Sequence, residues 1–126
     1  TVHHIAKAYQ VVNFHKFCKT MKIPVILGNC VTYKVALELM ATGCAGILVG
    51  IGPGSACTTR GVLGLGVPQV TAIVDTAAAR DLYYKKSGRY VPIIADGGMS
   101  TGGDVSKSFA CGADAVMIFD VELVDF

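Results

Sequence analysis

Cys57 sits in the run Gly52-Pro53-Gly54-Ser55-Ala56-Cys57-Thr58-Thr59-Arg60, which places a thiol among small hydroxyls and close-approach glycines directly after an apolar segment. Gly52 and Gly54 admit positive φ and let a ligand reach the backbone, Pro53 stiffens the turn, and the Ser55 hydroxyl can donate to a phosphate oxygen. A thiol in that loop would face whatever the phosphate carries and, once ionised, could attack it. The plainer alternative is a small cysteine that packs within the loop. Asp96-Gly97-Gly98 follows a second apolar run and sets a carboxylate before two glycines. Asp96 could contact a ligand from the C-terminal end of that strand, or cap its own turn.

Positioning such loops requires strands that end where the loops begin. Short apolar runs alternate with segments of helical spacing, the rhythm of βα units with parallel strands. Four strands are expected at Val25–Leu27, Gly46–Val49, Val91–Ala95 and Ala115–Ile118, each apolar enough to be covered on both faces. Between them the pattern predicts helices over Asn13–Met21, Thr32–Thr42, Thr71–Lys86 and Thr101–Gly112. Thr32 is the expected N-cap of the second helix and Gly43 its stop. Lys85 and Lys86 suit the end of the third, and Asp104 is the expected cap of the fourth. With no linker, charge block or low-complexity segment, residues 1–126 read as a single domain.

The cysteine loop resembles the active-site loop of the IMP dehydrogenase and GMP reductase family. So do Gly28-Asn29 after Ile23–Leu27, Val67-Pro68-Gln69-Val70-Thr71-Ala72, Ile94-Ala95-Asp96-Gly97-Gly98 and Asp114–Ile118. The resemblance covers roughly residues 22 to 118 and comes nearest the bacterial IMP-dehydrogenase-like branch. It implies an α/β fold, the C-terminal half of a (β/α)₈ barrel, and a cysteine, Cys57, that adds to C2 of a purine nucleotide with Thr59 beside the reacting carbon. Ser55 and Gly98 would hold phosphate and Asp96 the ribose hydroxyls. Asn29 would lie near the nucleotide and nicotinamide, or else form an Asx-turn before the helix at Thr32. The carbonyls of Gly52, Gly54 and Cys57 match a potassium-binding loop. NAD(P) and potassium would be needed only if the family's activity survives, in either its IMP-oxidising or its GMP-reducing form.

Length bears on that expectation, since a closed barrel takes about 250 residues and this chain has 126. The expected molecule is therefore a truncated or engineered half-barrel with little or no activity of its own. Its open edges call for association, as a homodimer, with a complementary half-barrel, or by rearrangement into an open sheet. Hydrophobic residues make up 52% of the chain, enough for a core and an interface. A net charge of +2 without a basic cluster argues against nucleic acid. No apolar run spans a membrane and the N-terminus has no leader pattern, so a cytoplasmic location is expected. The cysteines, five in all, have no metal spacing and are expected to be reduced, with Cys18, Cys30, Cys44 and Cys111 in packing roles. His3, His4 and His15 lack partners at ligand spacing.

After Met117-Ile118 the family places Gly-Ser, which completes its phosphate cradle, whereas this chain has Phe119-Asp120. A carboxylate there would repel a phosphate dianion. The tail Val121–Phe126 alternates like a further strand.

Overall fold

The structure, a computed structural model, describes residues 12–118. Phe119-Asp120 and the tail Val121–Phe126, like His3 and His4, lie outside the described residues. Four parallel strands, β1 (Ile26–Cys30), β2 (Gly46–Val49), β3 (Ile93–Ala95) and β4 (Ala115–Val116), form one sheet in sequential order. Helices α1 (Phe14–Thr20), α2 (Tyr33–Ala41), α3 (Thr59–Leu63), α4 (Gln69–Ser87) and α5 (Gly102–Ala110) precede and connect them. Sequential parallel order, each strand beside the next, is the arrangement of a (β/α)₈ barrel sector rather than of a sheet that reverses direction at a switch point.

The strands alternate as a pleated sheet requires. Leu27, Ile47, Val49, Ile93 and Ala95 are buried and pack with Ala36, Leu39, Met40, Ala72 and Ile73 of α2 and α4. Ile26, Leu48 and Ile94, which alternate with them, are less covered, and Ile26 is 51% exposed. The expectation of strands covered on both faces is thus corrected: the helices cover one face, and the opposite face is partly open.

Boundaries shift for identifiable reasons. β1 runs on through Gly28-Asn29 to Cys30 instead of ending at Leu27, because pairing with β2 continues to Cys30↔Val49. β3 is shorter than Val91–Ala95 and β4 shorter than Ala115–Ile118, although the N–H of Ile47 bonds Pro92 O and that of Met117 bonds Ala95 O beyond them. α4 starts at Gln69, not Thr71, since Pro68 provides a pre-set entry to the first turn and Ala72 N–H bonds Pro68 O. Thr32 caps α2 as expected, its Oγ1 accepting from Val35 N–H. At α5 the cap is Thr101, not Asp104: Thr101 Oγ1 accepts from Asp104 N–H while the Asp104 carboxylate accepts from Thr101 N–H, a reciprocal capping box.

At the N-terminal end of the sheet, Asp114 before β4 accepts from Arg80 Nη1 at 2.8 Å and from Ile93 N–H at 2.8 Å, and also from the Tyr90 hydroxyl. Arg80 is 9% exposed, reaches Gly112 O at 2.7 Å and lies over the Tyr90 ring. This clamp ties α4 to the starts of β3 and β4, at the end remote from the loops described next.

Candidate active site

The C-terminal ends of all four strands open onto one cleft of about 890 Å³. β1 contributes Asn29, β2 leads into Gly50–Cys57, β3 into Asp96–Gly102, and β4 into Met117 and Ile118. In parallel α/β folds this rim is where ligand-contacting side chains gather, because loops there can vary without disturbing the sheet. The neck of the cysteine loop is closed by Val67 N–H donating to Ile51 O at 3.1 Å, with Arg60 reaching Val67 O at 3.5 Å. The short helix α3 within it was not foreseen: Thr59–Leu63 coils because Val62 N–H bonds Thr58 O, and Gly64 in the left-handed region stops it.

Cys57 is exposed at the cleft, and its Sγ lies 3.2 Å from Thr59 Oγ1. The thiol donates to the hydroxyl; after ionisation the hydroxyl O–H can donate back to sulfur. The Thr59 hydroxyl, then the Thr59 N–H, hold the Cys57 thiol below its ordinary value, with lesser help from the Gly52 backbone and the Arg60 charge. The other cysteines have the opposite character where they are buried. Burial pushes Cys30 up to about 12 and Cys44 up to about 11, and the Cys44 thiol donates to Leu39 O. Cys18 and Cys111 are half-buried, and the five thiols are free. Of the five, Cys57 is the exposed thiol, and it opens onto the cleft.

Asn29 Nδ2 donates to Asp96 Oδ2 at 2.7 Å. The bond spans β2, which lies between the strands that lead to the two residues. Gly50 has φ +144°, and a Cβ there would stand 2.3 Å from Asp96 O, which leaves glycine as the residue that fits. Gly98, with φ +78°, abuts the cysteine loop: a Cβ on it would lie 2.9 Å from Pro53 Cβ. Ser55 is exposed on the opposite loop. Asn29, Ser55, Cys57, Thr59, Asp96 and Gly98 all line the same cleft.

Gly54 O accepts Cys57 N–H at 3.1 Å, closing a turn but leaving a lone pair. Gly52 and Cys57 carry the other two carbonyls singled out for potassium, and three carbonyls make only part of a cation shell. Among the described residues, no group of three or more His, Cys, Asp or Glu could hold a metal, and no helix is long and apolar enough to cross a membrane.

A family model described as IMP dehydrogenase / GMP reductase domain matches residues 2–121. The chain belongs to this family. It is 44% identical over 116 residues to an uncharacterized oxidoreductase of Mycolicibacterium smegmatis, covering 90% of this chain and 31% of that protein. It is 47% identical over 100 residues to the inosine-5'-monophosphate dehydrogenase of Haemophilus influenzae, covering 79% and 19% respectively. The corresponding enzyme of Thermoplasma acidophilum is 48% identical over 103 residues, covering 82% and 20%. The chain thus spans less than a third of the length of these relatives, and carries part of an IMP dehydrogenase / GMP reductase domain.

Gln69, which does not line the cleft, is a buried contact beneath its loops that sequence reasoning passed over. This 9% exposed side chain sits at the first turn of α4, with Nε2 donating to Val49 O at 2.7 Å. The available signal was a lone amide between Val67-Pro68 and Val70, at a helix start where an exposed polar residue is usual.

Proposed function

We propose that the described residues form the nucleotide-holding, thiol-bearing side of a purine nucleotide oxidoreductase site of the IMP dehydrogenase or GMP reductase type. The observation that carries this reading is the convergence of Asn29, Ser55, Cys57, Thr59, Asp96 and Gly98 on one cleft, with the exposed thiol among them the one held below its ordinary value. Ser55 Oγ and Gly98 N–H hold the 5'-phosphate. The Asp96 carboxylate, already steadied by Asn29, accepts from the ribose hydroxyls, and Cys57 reaches C2 of the ring.

On IMP, the Cys57 thiolate forms an S–C2 bond and the hydride on C2 departs, leaving a thioimidate; water then breaks the S–C2 bond, yielding xanthosine monophosphate and the free thiol. On GMP, the thiolate forms the S–C2 bond as the C2 amino group takes a proton from solvent and leaves as ammonia, and a hydride arriving at C2 then expels the thiolate to give IMP. NAD(P), when bound, takes or supplies that hydride, and the exposure of Cys57 leaves room for a second reactant beside C2. Potassium, if used, would meet the carbonyls of Gly52, Gly54 and Cys57.

By itself the 126-residue chain self-associates, most simply as a homodimer, or pairs with a complementary half-barrel, and turns over little or nothing. β1 and β4 are the edges of the described sheet, and Ile23, Ile26 and Ile118 stand exposed near them. Proteins seldom leave such edges and patches bare. Calorimetric titration with IMP and GMP, together with NADH formation from IMP and NADPH oxidation with GMP, tests the reading. Binding lost in Asp96→Ala supports it; no binding of either nucleotide overturns it. Turnover abolished by Cys57→Ser would show that the isolated chain is a working enzyme.

A further inference from the structure

We infer that Gln69 is a positioning residue that pins the root of the cysteine loop to the root of the Asp96 loop, so that thiol and carboxylate keep a fixed spacing across the cleft. Gln69 Nε2 donates to Val49 O at 2.7 Å and lies 3.4 Å from Asp96 O, while Asp96 N–H donates to the same Val49 O at 2.8 Å. One amide therefore bridges the last residue of β2 and the first residue after β3. Its side chain packs along both loops: a Cβ on Gly98 would lie 3.2 Å from Gln69 Cβ, and a Cβ on Gly50 would lie 3.0 Å from Gln69 Oε1.

Gln69 Oε1 is buried and without a partner. The amide cannot turn over to satisfy it, because that would point an oxygen at two carbonyls and leave both without the side-chain donor. Its orientation is fixed by the strand ends it joins. The loops carrying Cys57 and Asp96 have no strand pairing of their own past these roots, so the Gln69 bridge adds to the Asp96 N–H···Val49 O bond and to the contacts of Gly97 and Gly98 with Pro53 and Gly54 in setting their relative placement. The consequence for nucleotide binding rests on the function proposed above; the pinning itself does not.

Backbone amide exchange, followed by NMR in the ligand-free chain, tests the pinning. The reporters are Gly50 N–H, bonded to Cys30 O, and Asp96 N–H, bonded to Val49 O; the α2 amides from Ala36 to Met40 serve as the reference. In Gln69→Met, which keeps the volume and loses both donors, exchange at the two reporters should quicken about tenfold, as expected for local loss of about one net hydrogen bond, with the α2 amides little changed. Unchanged reporters, or a uniform acceleration that includes α2, would overturn the inference. Should Gln69→Met fail to fold, Gln69→Glu keeps the shape while setting an oxygen against Val49 O, and the same selective loosening is expected. Titration with IMP separates the two ideas. A wild-type chain that does not bind IMP contradicts the proposed function and leaves exchange to decide the pinning. A loosened Gln69→Met that binds IMP as tightly as wild type contradicts the positioning role.

Discussion

Asn29 Nδ2 and Asp96 Oδ2 meet at 2.7 Å although 67 residues separate them in the chain and β2 lies between their strands. The bond holds one carboxylate oxygen and leaves the other to accept from a ligand. Asn29→Ala should therefore keep the fold, since Asn29 lies at the rim of the sheet, and weaken IMP binding by about tenfold or more, the usual scale for a hydrogen bond to a charged group. Calorimetry on the variant checks this; equal affinity would mean that Asn29 does not steady the Asp96 carboxylate for a ligand.

Thr59 Oγ1 stands 3.2 Å from Cys57 Sγ. Replacing its hydroxyl in Thr59→Val removes the largest influence holding the thiol down, so the Cys57 ionisation midpoint should move up. Alkylation at neutral pH should slow several-fold, with the maximal rate at high pH retained. Rates measured against pH by peptide mass spectrometry read the shift directly. The buried Cys30 and Cys44 should remain unmodified throughout in the folded protein.

The clamp at the other end of the sheet makes stability pH-dependent. Partial burial pushes the Asp114 carboxyl up, but the hydrogen bonds from Tyr90, the Ile93 N–H and Arg80 outweigh it, and the group stays below its ordinary value. A depressed carboxyl binds fewer protons folded than unfolded. Its stabilisation is therefore present above the unfolded value of about 4 and is lost as pH falls through the folded value. Asp114→Asn should flatten the acid limb of the stability curve. Arg80→Ala, which leaves Asp114 without its cation, should cost about 3 kcal/mol in denaturant titrations, the scale for breaking a largely buried pair.

Strand count and the loops that matter were legible because they rest on local signals: apolar runs such as Gly46–Val49 and Ala115-Val116, and glycines after them. Caps were legible where side chain and spacing agree, as at Thr32. They misled at α5, because Thr101 and Asp104 share the capping box and either type could lead it. Long-range pairings were not legible. Nothing near Asn29 points to Asp96, nothing near Gln69 points to Val49 O, and nothing near Arg80 points to Asp114, since each bond depends on which strand ends the fold brings together. The helix Thr59–Leu63 was hidden for another reason: it buries none of its residues, and so lacks an apolar stripe.

The exposed edges carry a prediction about mass. Light scattering of the chain at micromolar concentration should give a dimer, and a charged substitution such as Ile26→Lys on the partly open face should shift it toward monomer while the helical signal is retained. A cooperatively folded monomer at all concentrations would remove the case for self-association.

A purine nucleotide seated in this cleft with its ring against Cys57 would shield the thiol. Alkylation of Cys57, followed by mass spectrometry with and without IMP, reads that shielding. Saturating IMP should slow Cys57 modification strongly in the wild-type chain and have little effect in Asp96→Ala, and inosine, lacking the phosphate for Ser55 and Gly98, should protect far less. An unchanged rate of Cys57 alkylation at saturating IMP would mean that no purine ring lies against the thiol.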